Sequence, residues 1–268
     1  MSAFPTSFHL GPLTFHVYGF GLAIAAYVAY LYSRRRLTRA GFDLARYGQF
    51  TGALVVSALI GARAAHVATN WGYYAGHPAR WLAIWQGGLS SFGGIGFALP
   101  VGLYLQRRWW PGSSLARFCD ALLPALVAGW SLGRFLGPQF MVQGGGHLTH
   151  QWFGMHYVGQ VGKRVPVPII QGLEDGLLWV VLIRLERRVV GRIVGVTSAV
   201  AMTVWGLVRA LDERLLLGQQ SHSGSLGVQG AALLLALAGI VLGVRQVRRY
   251  RRDARSLDDR LEARREVP

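Results

Sequence analysis

Apolar positions in this chain gather into long runs separated by short polar, arginine-rich connections. Crossing the roughly 30 Å hydrocarbon core of a bilayer takes about 20 mostly apolar residues in a helix. Seven stretches reach or approach that length, at about 15–33, 48–69, 88–106, 118–136, 168–184, 193–211 and 225–244. They predict an all-α polytopic membrane protein, a single integral membrane domain over residues 1–268 with a long connection at 137–167 and a basic tail at 245–268. Three runs are interrupted: the third is glycine-rich from Gly87 to Gly102 and holds Pro100, the fourth carries Asp120 and Arg134, and the fifth carries Glu174 and Asp175. Such helices are expected to face a bundle interior rather than lipid. No basic segment precedes the first run, which argues against a cleaved signal peptide and for a retained first helix. There is no internal repeat or low-complexity linker.

Charge assigns an orientation. The chain holds 28 Lys and Arg against 12 Asp and Glu, yet only 15% of it is charged and 52% is hydrophobic. A soluble domain carries about 25% charge, and a basic nucleic-acid binder would be more polar still, so nucleic acid is excluded as a partner. Arg34, Arg35, Arg36, Arg39 and Arg46 follow the first run, Arg107, Arg108 and Arg117 the third, and Arg184, Arg187, Arg188 and Arg192 the fifth; nine more arginines follow the seventh. These connections alternate, so by the positive-inside rule they are cytoplasmic, which places the N-terminus outside and the C-terminus inside. Only an odd number of spans puts the tail and the first basic loop on one side. The tail is expected to be a solvated or lipid-surface helix in contact with anionic lipid. A single cysteine, Cys119, excludes an intramolecular disulfide and a zinc site of the CxxC kind. No cofactor and no metal is expected.

Four ionisable residues fall at membrane depth toward the outer side: Arg63, Arg134, Arg209 and Glu213. A charge at the bilayer centre costs about 2.5–3.5 kcal/mol on insertion scales, so it is paired or lines a wet cavity. Arg209 and Glu213, four apart, share a helix face. They form either an ion pair that orients a helix end, or a device in which Glu213 holds the planar fork of Arg209 ready for an anion. Arg134, at the outer end of another span, favours the second reading, because two converging guanidinium groups suit a phosphate. His147, His150 and His156 lie in the 137–167 connection and His66 near the end of the second run, with a spacing that matches no metal motif. Gly144 to Gly146 could cradle an anion or serve as a hinge.

In this order the features resemble the prolipoprotein diacylglyceryl transferase family. GPLTFHVYGFGLA at 11–23 is similar to the family's opening and places Tyr18 on its functional tyrosine; GARAAHV at 61–67 and WQGGLSSFGGIG at 85–96 resemble its GGRxGYV and WDGGMSFHGGLIG elements. Gly133-Arg134 resembles the start of GRxGNFxNGE, PVPIIQGLEDGLLW at 166–179 resembles HPSQLYEALLEG, and WGLVRALDE at 205–213 resembles YGxxRFxxE. SLGVQ at 225–229 is similar to the SxGQ that opens the last helix. The resemblance implies seven spans in the bacterial cytoplasmic (inner) membrane, and transfer of the diacylglyceryl group of phosphatidylglycerol to the lipobox cysteine of preprolipoproteins. It implies catalytic roles for Arg134, Arg209, Glu213 and Tyr18, and phosphatidylglycerol contacts from Arg134, Arg209, Gly93, Gly94 and Gln139.

The departures are specific. Phe92 stands where the family has the histidine of HGG, GRFLGPQFMVQGGG at 133–146 lacks the family's asparagines and glutamate, and Leu216 replaces a second arginine. The resemblance therefore retains phosphate recognition and leaves the general base unassigned, with His147, His150 and His156 as substitutes. A paralogue that binds phospholipid or modifies another acceptor remains open, and so does a polytopic channel or transporter, although no pair of discontinuous helices repeats in two halves.

Overall fold

The structure, a computed structural model, describes residues 6–10, 13–83, 90–188, 193–215 and 222–265. It opens on a two-stranded antiparallel hairpin, β1 (Ser7–Leu10) and β2 (Leu13–His16), in the register Ser7 with His16 and Phe8 with Phe15. This short hairpin is an addition to an otherwise all-α fold: two short apolar segments pair locally. The Val17 N–H then donates to the Thr6 carbonyl (3.1 Å) and joins the hairpin to the first helix.

Among the described residues eight α-helices follow: α1 (Val17–Arg39), α2 (Tyr47–Thr69), α3 (Trp71–Tyr74), α4 (Ser91–Trp109), α5 (Leu115–Leu136), α6 (Val167–Glu186), α7 (Val196–Leu215) and α8 (His222–Arg265). Each of the seven long ones overlaps one of the apolar runs without sharing its limits; α3 is an additional single turn. Among the described residues three segments are long and apolar enough to cross a membrane by length and composition: Tyr47–Thr69, Leu115–Phe140 and Leu226–Ser256. The tail does not break away at residue 245. It continues α8, whose 44 residues extend about 66 Å at 1.5 Å each.

The chain divides into two compact units. In the one formed by residues 37–115, α2 packs closely on α4. A side chain on Gly93 would collide with Ala65 and with the carbonyl of Gly61, and one on Gly94 would meet the Ala58 carbonyl at 3.3 Å. Ser90 caps α4 by accepting from the Gly93 N–H (3.4 Å), and its own N–H donates to the Ala62 carbonyl (3.0 Å). Buried Arg63 donates from Nε to the Trp81 carbonyl (2.8 Å) and from Nη2 to the Arg80 carbonyl (2.5 Å), with its guanidinium over the Tyr74 ring.

The other unit holds α1 and α5 to α8. Helices α1 and α5 run antiparallel on small residues: Gly21 lies against Leu136, Gly133 against Leu22 and Ala25, and Gly129 against Ala29. The same arrangement joins α7 to α8, with Gly206 on Ala232 and Ala236, and Gly239 on Ala199 and Thr203. Lipid tails are as apolar as leucine, so membrane helices associate by this close approach rather than by hydrophobic exclusion. Between α5, α6 and α7 sits a core of Val127, Leu178, Leu182 and Ala201, flanked by Trp179 and Trp205. At the far end of α5 from Arg134, Asp120 accepts from the N–H groups of Gly195 (2.5 Å) and Ser198 (2.8 Å) and from the Ser198 hydroxyl (2.6 Å). It thereby caps the start of α7 from a neighbouring helix. Arg36 closes the same end, donating to the carbonyls of Ala121 (2.8 Å) and Asp120 (3.1 Å) and pairing with Glu186.

Candidate functional site

Arg134 lies in the last turn of α5, Arg209 one turn before the end of α7, and both face α6. Each guanidinium stacks on the tryptophan four residues earlier: Arg134 is 5.5 Å from the Trp130 ring centroid and Arg209 5.3 Å from that of Trp205. The two indoles meet edge to face at 6.0 Å and 86°. One continuous stack, Arg134–Trp130–Trp205–Arg209, thus brings together the two arginines that the sequence singled out. The signal was present in the sequence as W-x3-R occurring in both WSLGR and WGLVR, since residues four apart share a helix face.

The two arginines differ in partners. Arg209 is 7% exposed; its Nη2 donates to Asp175 Oδ2 at 3.0 Å, and its Nη1 lies 3.3 Å from Asp212 Oδ2. Asp212 also accepts from Gln171 Nε2 (3.0 Å), so α6 braces α7 through two polar contacts. Arg209 thus forms ion pairs with Asp175 and with Asp212; Glu213, one position further on, is half-buried. Asp175 is 1% exposed; with no water to screen it, its contact with Arg209 carries far more weight than a surface pair. Arg209 Nε and Nη1 have no hydrogen-bond partner in the protein, nor has Glu174 Oε2, all three atoms being buried. Arg134 is half-buried and, among the described residues, no carboxylate pairs with it. It is near enough to sense the charges of Arg209, Asp175 and Asp212.

The remaining expected residues separate into two groups. Tyr18 is in the first turn of α1, half-buried with its ring 5.8 Å from that of His16. Because α1 runs antiparallel to α5 with Gly21 on Leu136, Tyr18 belongs to the same end of that helix pair as Arg134. Gln139, by contrast, is 5% exposed and committed to the fold: its Oε1 accepts from the Tyr157 hydroxyl (2.7 Å) and its Nε2 faces Met155 Sδ (3.8 Å). It pins the 137–167 connection. Burial pushes the Tyr157 phenol up to about 12, against the opposing pull of Gln139. Gly93 and Gly94 lie where α4 packs closely on α2. His147 and His150 are exposed on that connection and His156 is half-buried. Residues 85–89 and Leu216 lie outside the described residues, as does the side chain of Phe92.

A family model described as prolipoprotein diacylglyceryl transferase matches residues 5–247. The chain is 29% identical over 214 residues to the phosphatidylglycerol–prolipoprotein diacylglyceryl transferase of Geobacter sulfurreducens, covering 78% of this chain and 80% of that one. It is 34% identical over 132 residues to the protein of the same name from Cutibacterium acnes (48% of this chain, 44% of that one) and 36% over 126 residues to that from Thermus thermophilus (47% and 44%). The aligned segment thus spans under half the length of the Cutibacterium and Thermus relatives.

Proposed function

The chain belongs to the prolipoprotein diacylglyceryl transferase family, and from that premise we propose that it transfers the diacylglyceryl group of phosphatidylglycerol to the lipobox cysteine thiol of a preprolipoprotein. In the reaction the thiol sulfur forms a bond to the glyceryl carbon, the carbon–oxygen bond to the phosphate breaks, and glycerol phosphate leaves. The thiol gives up its proton; at a pKa near 8.5 only a few per cent is thiolate at neutral pH. The leaving phosphate gathers negative charge as the bond breaks, and fixed cations aimed at it lower the barrier.

One observation carries this reading: Arg134, which among the described residues pairs with no carboxylate, shares a tryptophan stack with Arg209, whose buried Nε has no hydrogen-bond partner in the protein. Arg134 is the anion receiver. Arg209, held by Asp175 and Asp212, presents an oriented donor while its own charge is already balanced, and Glu213 one turn further on the same helix supports that end of α7. Tyr18, at the same end, donates to the phosphate or to a glycerol hydroxyl. The membrane setting follows from seven long helices, from exposed apolar stripes such as Leu173 and Leu177 on α6 and Leu234 and Leu237 on α8, and from the alternating arginines. These support seven spans in a bacterial cytoplasmic membrane, N-terminus outside, with the basic end of α8 meeting anionic lipid on the cytoplasmic side.

Complementation of a conditional transferase mutant tests the proposal. Growth with the intact chain and none with Arg134→Ala is expected. Growth that survives Arg134→Ala, or no growth with the intact chain, defeats it. Phe92 at the position of the family's histidine favours a second reading, a phospholipid-binding paralogue, which predicts lipid binding without transfer.

A further inference from the structure

The connection between α5 and α6 presents an apolar surface that the transfer site does not use. Trp152 is 89% exposed and Val161 85%, with Leu148 and Phe153 exposed beside them. These residues form one patch on a built scaffold. The Thr149 N–H donates to the Lys163 carbonyl (2.9 Å), Met155 and Arg164 exchange backbone hydrogen bonds (2.9 and 2.7 Å), and a Cβ on Gly162 would lie 2.8 Å from Leu148 Cδ2. Trp152 and Phe153 stack edge to face at 5.8 Å. The tip is therefore a folded element that holds its apolar side chains outward, at a steep cost if water were their only neighbour.

Charge says what covers it. Residues 137–167 contain no Asp or Glu, while Lys163, the single lysine of the chain, is exposed next to the patch and Arg164 is half-buried beside it. Both ends of the connection emerge from helices that carry exposed apolar residues, Leu126 and Trp130 on α5 and Leu173 and Leu177 on α6. Indole rings settle at the boundary between hydrocarbon and headgroups, and a cation beside them gains from anionic headgroups. We infer that the Leu148–Trp152–Phe153–Val161 face, with Lys163, seats on the anionic headgroup layer of the bilayer that holds α5 and α6. The partner is a lipid surface rather than a second protein. The inference rests on the membrane placement of these two helices and not on the transfer reaction.

The full chain carrying Cys119→Ala and Trp152→Cys, labelled with an environment-sensitive fluorophore and placed in nanodiscs, tests it. Nanodiscs of phosphatidylcholine alone are compared with phosphatidylcholine containing phosphatidylglycerol. In the mixed lipid, nitroxides attached near the headgroup should remove most of the emission while aqueous iodide removes little. Lys163→Gln should weaken docking about fivefold, the equivalent of about 1 kcal/mol for one cation at an anionic surface. Val161→Cys, labelled in the same way, should report the same depth, which separates docking from a local effect of replacing Trp152. Iodide quenching in both lipids overturns the inference, as does equal docking in both. Shielding that arises only when a lipobox peptide is added assigns the face to the peptide and overturns it too.

Discussion

At the scale of single residues, the two arginines differ in their partners. Among the described residues no carboxylate pairs with Arg134, so in the proposed reaction an arriving phosphate would meet an uncommitted fork. Arg134→Lys keeps the charge but loses the planar pair of donors; transfer is expected to fall about a hundredfold with the thermal midpoint unchanged, measured on detergent-purified protein. Asp175 does the opposite job. Asp175→Ala leaves the Arg209 guanidinium in a buried site with half its compensation, and a loss of about 3 kcal/mol is expected, read as a lowered unfolding midpoint. Tyr157 supplies a pH dependence. Its phenol ionises near 10 when unfolded and near 12 in place, so the folded state disfavours the tyrosinate. The stability this contributes is complete below pH 10 and is lost as the pH rises toward 12. Limited proteolysis of the 137–167 connection should accelerate across that window, and Tyr157→Phe should remove the window.

Elements are held by two different means. Small residues set the approach of α1 to α5, α7 to α8 and α2 to α4, while polar side chains fasten helix ends: Asp120 on the start of α7, Arg36 across α5 and α6. Gly93 distinguishes packing from binding. Were it a lipid contact, Gly93→Ala would raise the apparent KM; packed as it is on Ala65 and the Gly61 carbonyl, the same change is expected to lower the folded yield and unfolding midpoint and to leave KM alone in the protein that does fold. Arg36 shows how an element-level role hides in a charge pattern. Read along the chain it is one more cytoplasmic arginine, and only the approach of Glu186, 150 residues later, makes it a clamp.

For the whole molecule, the arginine pattern and the seven helices together make orientation measurable. In a Cys119→Ala background, Tyr250→Cys should react with an impermeant maleimide only from the cytoplasmic side and His150→Cys only from the outside. Labelling of both from one side would overturn the seven-span reading. The two compact units each carry part of the family resemblance, the GARAAHV and GGIG elements in one and both arginine helices in the other.

Hydropathy and charge along the chain located the seven long helices and gave an expected orientation and two candidate arginines, because burial in lipid and basic flanks act residue by residue. The N-terminal hairpin was obscured by its continuity with an apolar run, and the unbroken α8 by a change from apolar to charged residues that leaves helix propensity intact. What only the tertiary structure decided is that Asp175 pairs with Arg209, that Trp130 and Trp205 join the two arginines, and that Gln139 bonds to Tyr157 while Gly93 and Gly94 pack on α2. These depend on contacts between residues distant in sequence, such as Asp175 with Arg209, and a local pattern records that a charge needs a partner without recording which one it has.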